Sequence, residues 1–219
     1  QAEEYVKGTI IITVSADDAG SGIEKVSFIL NGSILFNDTS SPYEYSIDTT
    51  LYLGGEHNIT VVAYDNAGNS KSKTIIFYID NTSPSVGIVS PCDGSWVGTH
   101  VYVNVSASDE FSGIQFIKLL VNGTCEGYYY PPDIYWDATE YTGGTYNLTV
   151  VAYDNVNNTA SASIIVHLDK TAPTVNVAAP ANESWVCDVV NISVSINDTG
   201  SGVEKVMFIL DGVLLYNDT

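Results

Sequence analysis

The acceptor pattern for N-linked glycans, Asn-x-Ser/Thr, is the most frequent chemical motif in this chain. It includes 12 of the 17 asparagines, whereas the frequency of Ser and Thr alone would give roughly 3. Turn-forming Asn beside strand-forming Thr explains only a few of these matches. The sequence therefore predicts N-linked glycans at Asn31, Asn37, Asn58, Asn81, Asn104, Asn122, Asn147, Asn157, Asn182, Asn191, Asn197 and Asn217.

The histidines give no comparable signal for catalysis. His57, His100 and His167 are far apart in the sequence. No nucleophile elbow and no glycine-rich phosphate loop surrounds any of the Ser and Asp residues. The sequence thus indicates a protein that is not an enzyme and that requires no cofactor.

The charge of the chain excludes several kinds of partner. Its 219 residues carry 26 Asp and Glu against seven Lys and no Arg, which gives a net charge of -19. Without a basic patch, the chain cannot displace counterions from nucleic acid or from an anionic membrane. No apolar run reaches the ~18 residues that a membrane helix needs.

A repeat of about 90 residues organises the chain. Residues 1–39 align without a gap with residues 181–219, and 20 of the 39 positions are identical. These matches divide the chain into repeat 1 (residues 1–82, without its first strand), repeat 2 (83–171) and repeat 3 (172–219, the first half only). We therefore expect a window in a longer chain or, alternatively, a subunit that neighbouring copies complete by strand exchange.

Each repeat has the pattern of short strands with one buried face. Ile10, Ile12 and Val14 alternate with outward residues, and the same period recurs in repeats 2 and 3. The pair Asn31-Gly32 between two apolar runs predicts a hairpin, because both residue types tolerate positive φ. Short strands and frequent turns over about 90 residues predict an all-β sandwich.

The strand segments resemble the Ig-like repeats of bacterial and archaeal cell-surface proteins. The matching segments are Gly8–Ala16, Ser21–Gly32, Tyr45–Thr49, Gly55–Asn69 and Asp80–Pro84 in repeat 1, and Gly98–Ala107, Ser112–Gly123, Ile134–Thr139 and Gly144–Asn158 in repeat 2. The resemblance implies tandem immunoglobulin-like β-sandwiches at the outside of a cell. The segment Cys125–Pro132 departs from the pattern, which indicates a local specialisation of repeat 2.

Strand direction predicts one disulfide. Strands alternate in direction, so the turn after the first strand of repeat 2 and the hairpin after its third major strand lie at the same end of the sandwich. Cys92 lies in that turn and Cys125 follows that hairpin. We expect these two cysteines to form a bridge if their Cα atoms lie within ~7 Å, with Cys187 free or paired elsewhere.

The joints between repeats are rich in carboxylates. Because the strands run from end to end, the linker into repeat 2 meets two of that repeat's loops, which gathers Asp80, Asp109, Glu110 and Asp154. Clustered carboxylates supply the oxygen ligands that calcium prefers, so calcium at the joints is one hypothesis. The alternative is that these residues only cap turns.

The sequence is compatible with two functions. The first is a structural component of an extracellular glycoprotein assembly, such as a filament, a surface layer or a stalk. Its partners would be N-linked glycans and other copies or neighbouring repeats. The second is an adhesin or carbohydrate-binding surface module that uses the tyrosines Tyr128–Tyr130.

Overall fold

The computed structural model describes residues 4–218, and these residues form strands joined by turns and one short 3-10 turn at Thr49–Leu51. The all-β prediction is confirmed. Seven strands belong to repeat 1: β1 (Tyr5–Val6), β2 (Thr9–Val14), β3 (Ile23–Leu30), β4 (Ser33–Asp38), β5 (Tyr43–Asp48), β6 (Gly55–Asp65) and β7 (Ser70–Ile79). The sheet β1-β7-β6-β3-β4 packs on the two-stranded sheet β2-β5.

Repeat 2 is a sandwich of a five-stranded and a three-stranded sheet. Its strands are β8 (Ser85–Ser90), β9 (Ser95–Val97), β10 (His100–Ser108), β11 (Ile114–Val121), β12 (Thr124–Tyr129), β13 (Asp133–Asp137), β14 (Gly144–Asp154) and β15 (Thr159–Leu168). The larger sheet has the order β12-β11-β14-β15-β9 and the smaller has the order β13-β10-β8. In repeat 3, β16 (Thr174–Ala179) pairs with β17 (Ser193–Asn197), and β18 (Val206–Leu210) pairs with β19 (Val213–Asp218).

The predicted hairpin occurs in all three repeats. Asn31 and Gly32 have φ values of 48° and 82° in the turn between β3 and β4. Asn122-Gly123 and Asp211-Gly212 adopt the same pair of positive φ values in the equivalent turns. A side chain larger than Gly is strained at the second position, so the Asn/Asp-Gly pair sets the register of each hairpin.

Two separate cores form from the inward positions of the strands. Phe28, Ile47 and Ile59 belong to the core of repeat 1, whereas Trp136 and Leu148 belong to that of repeat 2. In repeat 3, every side chain described between residues 172 and 217 remains at least partly exposed.

The place of one strand differs between repeats 1 and 2. In repeat 2, β8 pairs with β10 and packs beside β15. In repeat 1, the corresponding space between β2 and β7 is a groove lined by Ile11, Ile75 and Ile76, which are exposed. No strand among residues 4–218 fills that groove.

Replacement of Leu148 tests whether the two cores are independent. Leu148 is fully buried, so Leu148→Ala should lower the free energy of unfolding of repeat 2 by roughly 2–5 kcal/mol through lost contacts and a cavity. The unfolding transition of repeat 1 should stay in place in differential scanning calorimetry. Exposed Leu53→Ala is the control and should change stability by less than ~0.5 kcal/mol. An equal shift of both transitions with Leu148→Ala would contradict independence.

Candidate metal centre at the joint between repeats

One carboxylate joins the end of repeat 1 to repeat 2. The backbone N–H of Asp80 donates to the carbonyl of Val6 at 2.9 Å, which continues the pairing of β1 with β7. Its Oδ1 accepts from Thr82 N at 3.0 Å and from Thr82 Oγ1 at 2.7 Å. Its Oδ2 accepts from the backbone N–H of Ser112 in repeat 2 at 3.1 Å. Asp80 thus bonds both sides of the joint.

Two further contacts cross the same joint. Asn158 Nδ2 in repeat 2 donates to the Asp80 carbonyl at 3.1 Å and to Asp154 Oδ2 at 2.8 Å. Phe111 lies over Gly54 of repeat 1, where an added Cβ would come within 2.5 Å of the Phe111 ring. Glycine is therefore the residue that lets the aromatic ring approach the backbone this closely.

Turn formation explains the position of one carboxylate oxygen of Asp109 and one of Asp154 in the loops of repeat 2. Asp109 Oδ1 accepts from Phe111 N at 3.1 Å and from Gly113 N at 2.9 Å. Asp154 Oδ1 accepts from Val156 N at 2.9 Å and from Asn158 N at 2.7 Å. These bonds are those of short Asp-capped turns.

Three carboxylates converge at the joint, and one of their buried oxygens has no hydrogen-bond donor. Asp80, Asp109 and Asp154 each offer a carboxylate oxygen, and the three oxygens lie within 4.8 Å of one another. Asp109 Oδ2 is buried and has no hydrogen-bond partner, and the same is true of the neighbouring Ser112 Oγ. Asp80 and Asp154 are fully buried. Turn chemistry alone leaves this convergence unexplained.

Glu110 corrects one part of the sequence prediction. The structure brings together three of the four predicted acids, whereas Glu110 is exposed and is not part of the group. The physical reason is the turn: Asp109 is held by its bonds to Phe111 and Gly113, and the adjacent side chain points to solvent.

The three carboxylates repel one another unless a cation lies between them. Two unit charges 4.8 Å apart repel by on the order of 3 kcal/mol at an effective dielectric constant of about 20. Burial raises the pKa of Asp80, but hydrogen bonds from Ser112 and Thr82 outweigh burial and hold that pKa below its usual value. Asp80 is therefore ionised at neutral pH, and no lysine among residues 4–218 pairs with the group.

The spacing of the oxygens suits a single calcium ion. Ca–O bonds of about 2.3–2.6 Å allow two ligands of one ion to lie up to roughly 5 Å apart, and the observed limit is 4.8 Å. The three carboxylates provide hard oxygen donors, and calcium accepts carbonyl and water oxygens for the remainder.

The second joint repeats the bridge. Asp169 Oδ1 accepts from Thr171 N at 2.9 Å, and Asp169 Oδ2 accepts from Ser201 N of repeat 3 at 2.7 Å. These bonds, first from Ser201 and then from Thr171, hold the pKa of Asp169 well below its usual range. Asp169 and Ser201 therefore occupy the roles that Asp80 and Ser112 have at the first joint.

The predicted disulfide is wrong in this structure. Cys92, Cys125 and Cys187 are all exposed and free. Cys92 lies in the turn that leads into β9, whereas Cys125 lies in β12, and these strands are the two opposite edges of the five-stranded sheet. Four strand spacings of ~4.8 Å separate the edges, far more than the ~7 Å between Cα atoms that a disulfide spans. Strand direction places both cysteines at one end of the sandwich but does not determine the sheet edge at which each lies.

The tyrosines of the specialised segment do not form one platform. Tyr128 and Tyr130 are exposed, whereas Tyr129 donates to the Tyr135 carbonyl at 3.0 Å. Tyr128 packs edge-on against Phe116. The segment therefore alternates between the surface and the sandwich as an ordinary strand does.

The predicted glycan acceptors differ in how free their amide nitrogens are. Ten are exposed, and Asn81 and Asn104 are partly buried; Thr219, which completes the Asn217 acceptor, lies outside the described residues. Asn81 Nδ2 donates to the Thr49 carbonyl at 3.0 Å, and Asn31 Nδ2 bonds His57 Nδ1 at 2.7 Å. These two nitrogens are engaged inside repeat 1.

The family follows from a match that covers most of the chain. Residues 1–61, 84–150 and 173–219 match the family model for the bacterial Ig domain. The chain belongs to this family. The three matched stretches fall one in each repeat, so bacterial Ig domains are the building unit of the chain.

Individual relatives share the domain over part of their length. A long-isoform ulvan lyase from Alteromonas sp. (strain LOR) is 26% identical over 197 residues, which cover 76% of this chain and 20% of the lyase. The chain thus spans about one fifth of the length of that relative. Fibronectin(III)-like modules of CbhA from Clostridium thermocellum are 21% identical, with a TM-score of 0.49 over 76% of this chain and 90% of theirs.

A bacterial ice-binding adhesin of 1.5 MDa also has a solved structure similar to this chain. The two are 16% identical, with a TM-score of 0.42 over 78% of this chain and 63% of that one. Bacterial Ig domains are typically surface or extracellular modules. Within residues 4–218 there is no helix with the length and hydropathy of a membrane span.

Replacement of Gly54 tests the aromatic contact at the joint. Gly54→Ala places a methyl group where the Phe111 ring lies, so the ring must move and the joint should loosen. Small-angle scattering should show a broader distribution of repeat 1 to repeat 2 distances, with both sandwiches still folded. Gly87→Ala is the control, because no atom lies within 4 Å of the added Cβ there. An unchanged distance distribution for Gly54→Ala would mean that Phe111 does not stiffen the joint.

Proposed function

We propose that this chain is a structural segment of an extracellular glycoprotein assembly, such as a filament, a surface layer or a stalk. In this role, the bacterial Ig domains provide length and the joints keep successive domains in a fixed relation. The observation that carries the proposal is the bridge by Asp80, whose carboxylate accepts from the linker and from the next repeat. A flexible string of domains would not need a buried acid at that position.

Calcium supplies the rigidity of the first joint in this proposal. Asp80 comes from the linker, whereas Asp109 and Asp154 come from two loops of repeat 2. An ion held by all three would link the linker to both loops at once. It would also neutralise a buried group of like charges. Without the ion, the repulsion among the carboxylates would favour a looser joint.

A calcium titration of Asp109→Asn tests the metal centre. The variant keeps Oδ1 for the turn bonds to Phe111 and Gly113 and replaces only Oδ2, the oxygen without a partner. Wild-type protein should gain thermal stability with millimolar calcium, by about 2.7 kcal/mol when calcium is at 100 times its Kd. Asp109→Asn should lose most of that gain and be no less stable than wild type in chelator.

Repeat 1 offers a matched control for this titration. Asp18 makes the equivalent turn, where its Oδ2 accepts from Gly20 N and Gly22 N, but it is not part of the three-acid group. Asp18→Asn should therefore leave the calcium response intact. A wild-type unfolding midpoint that is identical in calcium and in chelator would overturn the metal centre and leave the turns as the sufficient role of these acids.

N-linked glycans are the second component of the proposed role. Exposed acceptors lie on all three repeats, including Asn58, Asn147 and Asn191 on or beside strands. Bulky sugars at such positions would cover the sheet faces and limit access of proteases. The excess of acceptor patterns over chance supports this assignment.

Glycan occupancy should follow the state of each amide nitrogen. Asn81 Nδ2 donates to both the carbonyl and the hydroxyl of Thr49, so in protein purified from its native cells we expect Asn81 to carry less glycan than Asn58 and Asn147. Glycopeptide mass spectrometry measures the occupancy of each site. Equal occupancy at all three would contradict this expectation, and a bare polypeptide mass would overturn the glycoprotein assignment.

A binding role is the second candidate function. The observation in its favour is a pair of exposed tyrosines, Tyr102 and Tyr135, on one face of repeat 2. Aromatic rings of this kind present flat apolar surface to saccharides and proteins. Dispersed monomers that bind cells or free glycans through these rings would favour an adhesin or carbohydrate-binding module over a structural segment.

A further inference from the structure

The outer face of the three-stranded sheet of repeat 2 carries an aromatic pair between two polar pairs. Tyr102 on β10 lies directly across from Tyr135 on β13, with ring centroids 5.3 Å apart and a tilt of 51°. The neighbouring cross-strand pairs on this face are His100 with Asp137 and Asn104 with Asp133.

The fold does not require these tyrosines. Tyr102 is 72% exposed, so it contributes little to the core. In repeat 1, Ile11 and Ser46 form the equivalent pair across β2 and β5. In repeat 3, the residue aligned with Tyr102 is Asn191. The aromatic pair is thus particular to repeat 2.

Tyr135 is held in place before any ligand arrives. Its hydroxyl bonds His100 Nδ1 at 2.7 Å, and its backbone carbonyl accepts from Tyr129 Oη at 3.0 Å. Burial, followed by the charge of Asp137, raises the pKa of Tyr135, so the phenol stays protonated. A fixed, uncharged ring gives up little entropy when an apolar surface packs on it.

A predicted glycan acceptor lies on the same face, one residue pair away. Asn104 begins the pattern Asn104-Val105-Ser106 and is two residues from Tyr102, so both side chains point to the same side of β10. Asn104 Nδ2 donates to Asp133 Oδ1 at 3.2 Å, which directs the amide nitrogen towards β13. A glycosylated amide keeps one N–H, so this bond is compatible with attachment of a sugar.

We propose that a glycan on Asn104 packs its first sugars against Tyr102 and Tyr135 and is thereby held on the sheet. The proposal rests on the N-glycosylation of the proposed function. Sugar rings present C–H groups to aromatic faces, and their hydroxyls find acceptors in Asp133 and Asp137. These carboxylates favour uncharged sugars over acidic ones, because no lysine lies on this face among the described residues.

The attached glycan is a better occupant than a partner protein or a free saccharide. Its attachment point lies beside the rings, so its effective concentration there is high and no separate association cost applies. A protein partner would have to accommodate a sugar at Asn104. Free saccharide would have to compete with the attached one.

A double-mutant cycle in glycosylated protein from a native or related host tests the proposal. The proteins are wild type, Tyr102→Thr, Asn104→Gln and the double variant, with the unfolding midpoint of repeat 2 as readout. Tyr102→Thr should lower the midpoint by roughly 4 °C more when Asn104 is glycosylated than in the Asn104→Gln background, where only the contact with the Tyr135 ring is lost. Asn147→Gln in place of Asn104→Gln is the control and should show no coupling to Tyr102.

Each other outcome has a definite meaning. A glycan on Asn104 without coupling, or glycans at other acceptors with Asn104 bare, overturns this inference and leaves the proposed glycoprotein role intact. A bare polypeptide overturns both. Binding of an uncharged oligosaccharide such as cellohexaose to bare protein, lost in Tyr102→Thr, together with no coupling in the cycle, would assign the rings to an external saccharide instead.

Discussion

The hydrogen bond from Ser112 N to Asp80 Oδ2 is the interaction on which the arrangement of repeats 1 and 2 depends. The Asp80 carboxylate also caps the linker through Thr82, and its backbone N–H still belongs to the pairing of repeat 1. One residue therefore ends one domain, shapes the linker and contacts the next domain. Because Asp80 is buried and ionised, loss of any of these donors would weaken the compensation of a buried charge.

The surrounding residues can be understood as consequences of placing that charge at a joint. Asn158 Nδ2 donates to the Asp80 carbonyl. Gly54 has no side chain, which lets the Phe111 ring pack against the backbone of repeat 1. Asp109 and Asp154 cap their own turns, and each also offers a carboxylate oxygen to the group that includes Asp80. The second joint, with Asp169 and Ser201, uses the same bridge at a more exposed place.

Much of the fold could be predicted because its signals are local or repeated. The alternation of apolar and polar residues in β2 and β10 and the Asn-Gly turns depend only on neighbouring residues. The 90-residue repeat shows each of these patterns more than once. Asp80, Asp109 and Asp154 could be grouped because strand direction determines which loops meet a linker.

The predictions for Glu110 and for the Cys92–Cys125 disulfide were wrong because both depend on tertiary packing. Packing determines the direction of the Glu110 side chain in its turn and the order of the strands that carry the two cysteines. Tyr102 and Tyr135 were missed because a cross-strand pair is 33 residues apart in sequence and needs the register of β10 and β13 to be recognised.

The division of the joint between two repeats has a consequence for how such a chain can change in length. The acid lies in the linker at the end of one domain, and its donors lie at fixed places in the domain that follows. A duplicated domain that keeps its linker therefore carries the donors for the preceding joint at one end and the acid for the following joint at the other end. An array of these domains can grow or shrink by whole units without the invention of a new interface, whereas a shift of a single residue within the linker would misplace the carboxylate and uncouple the two neighbours.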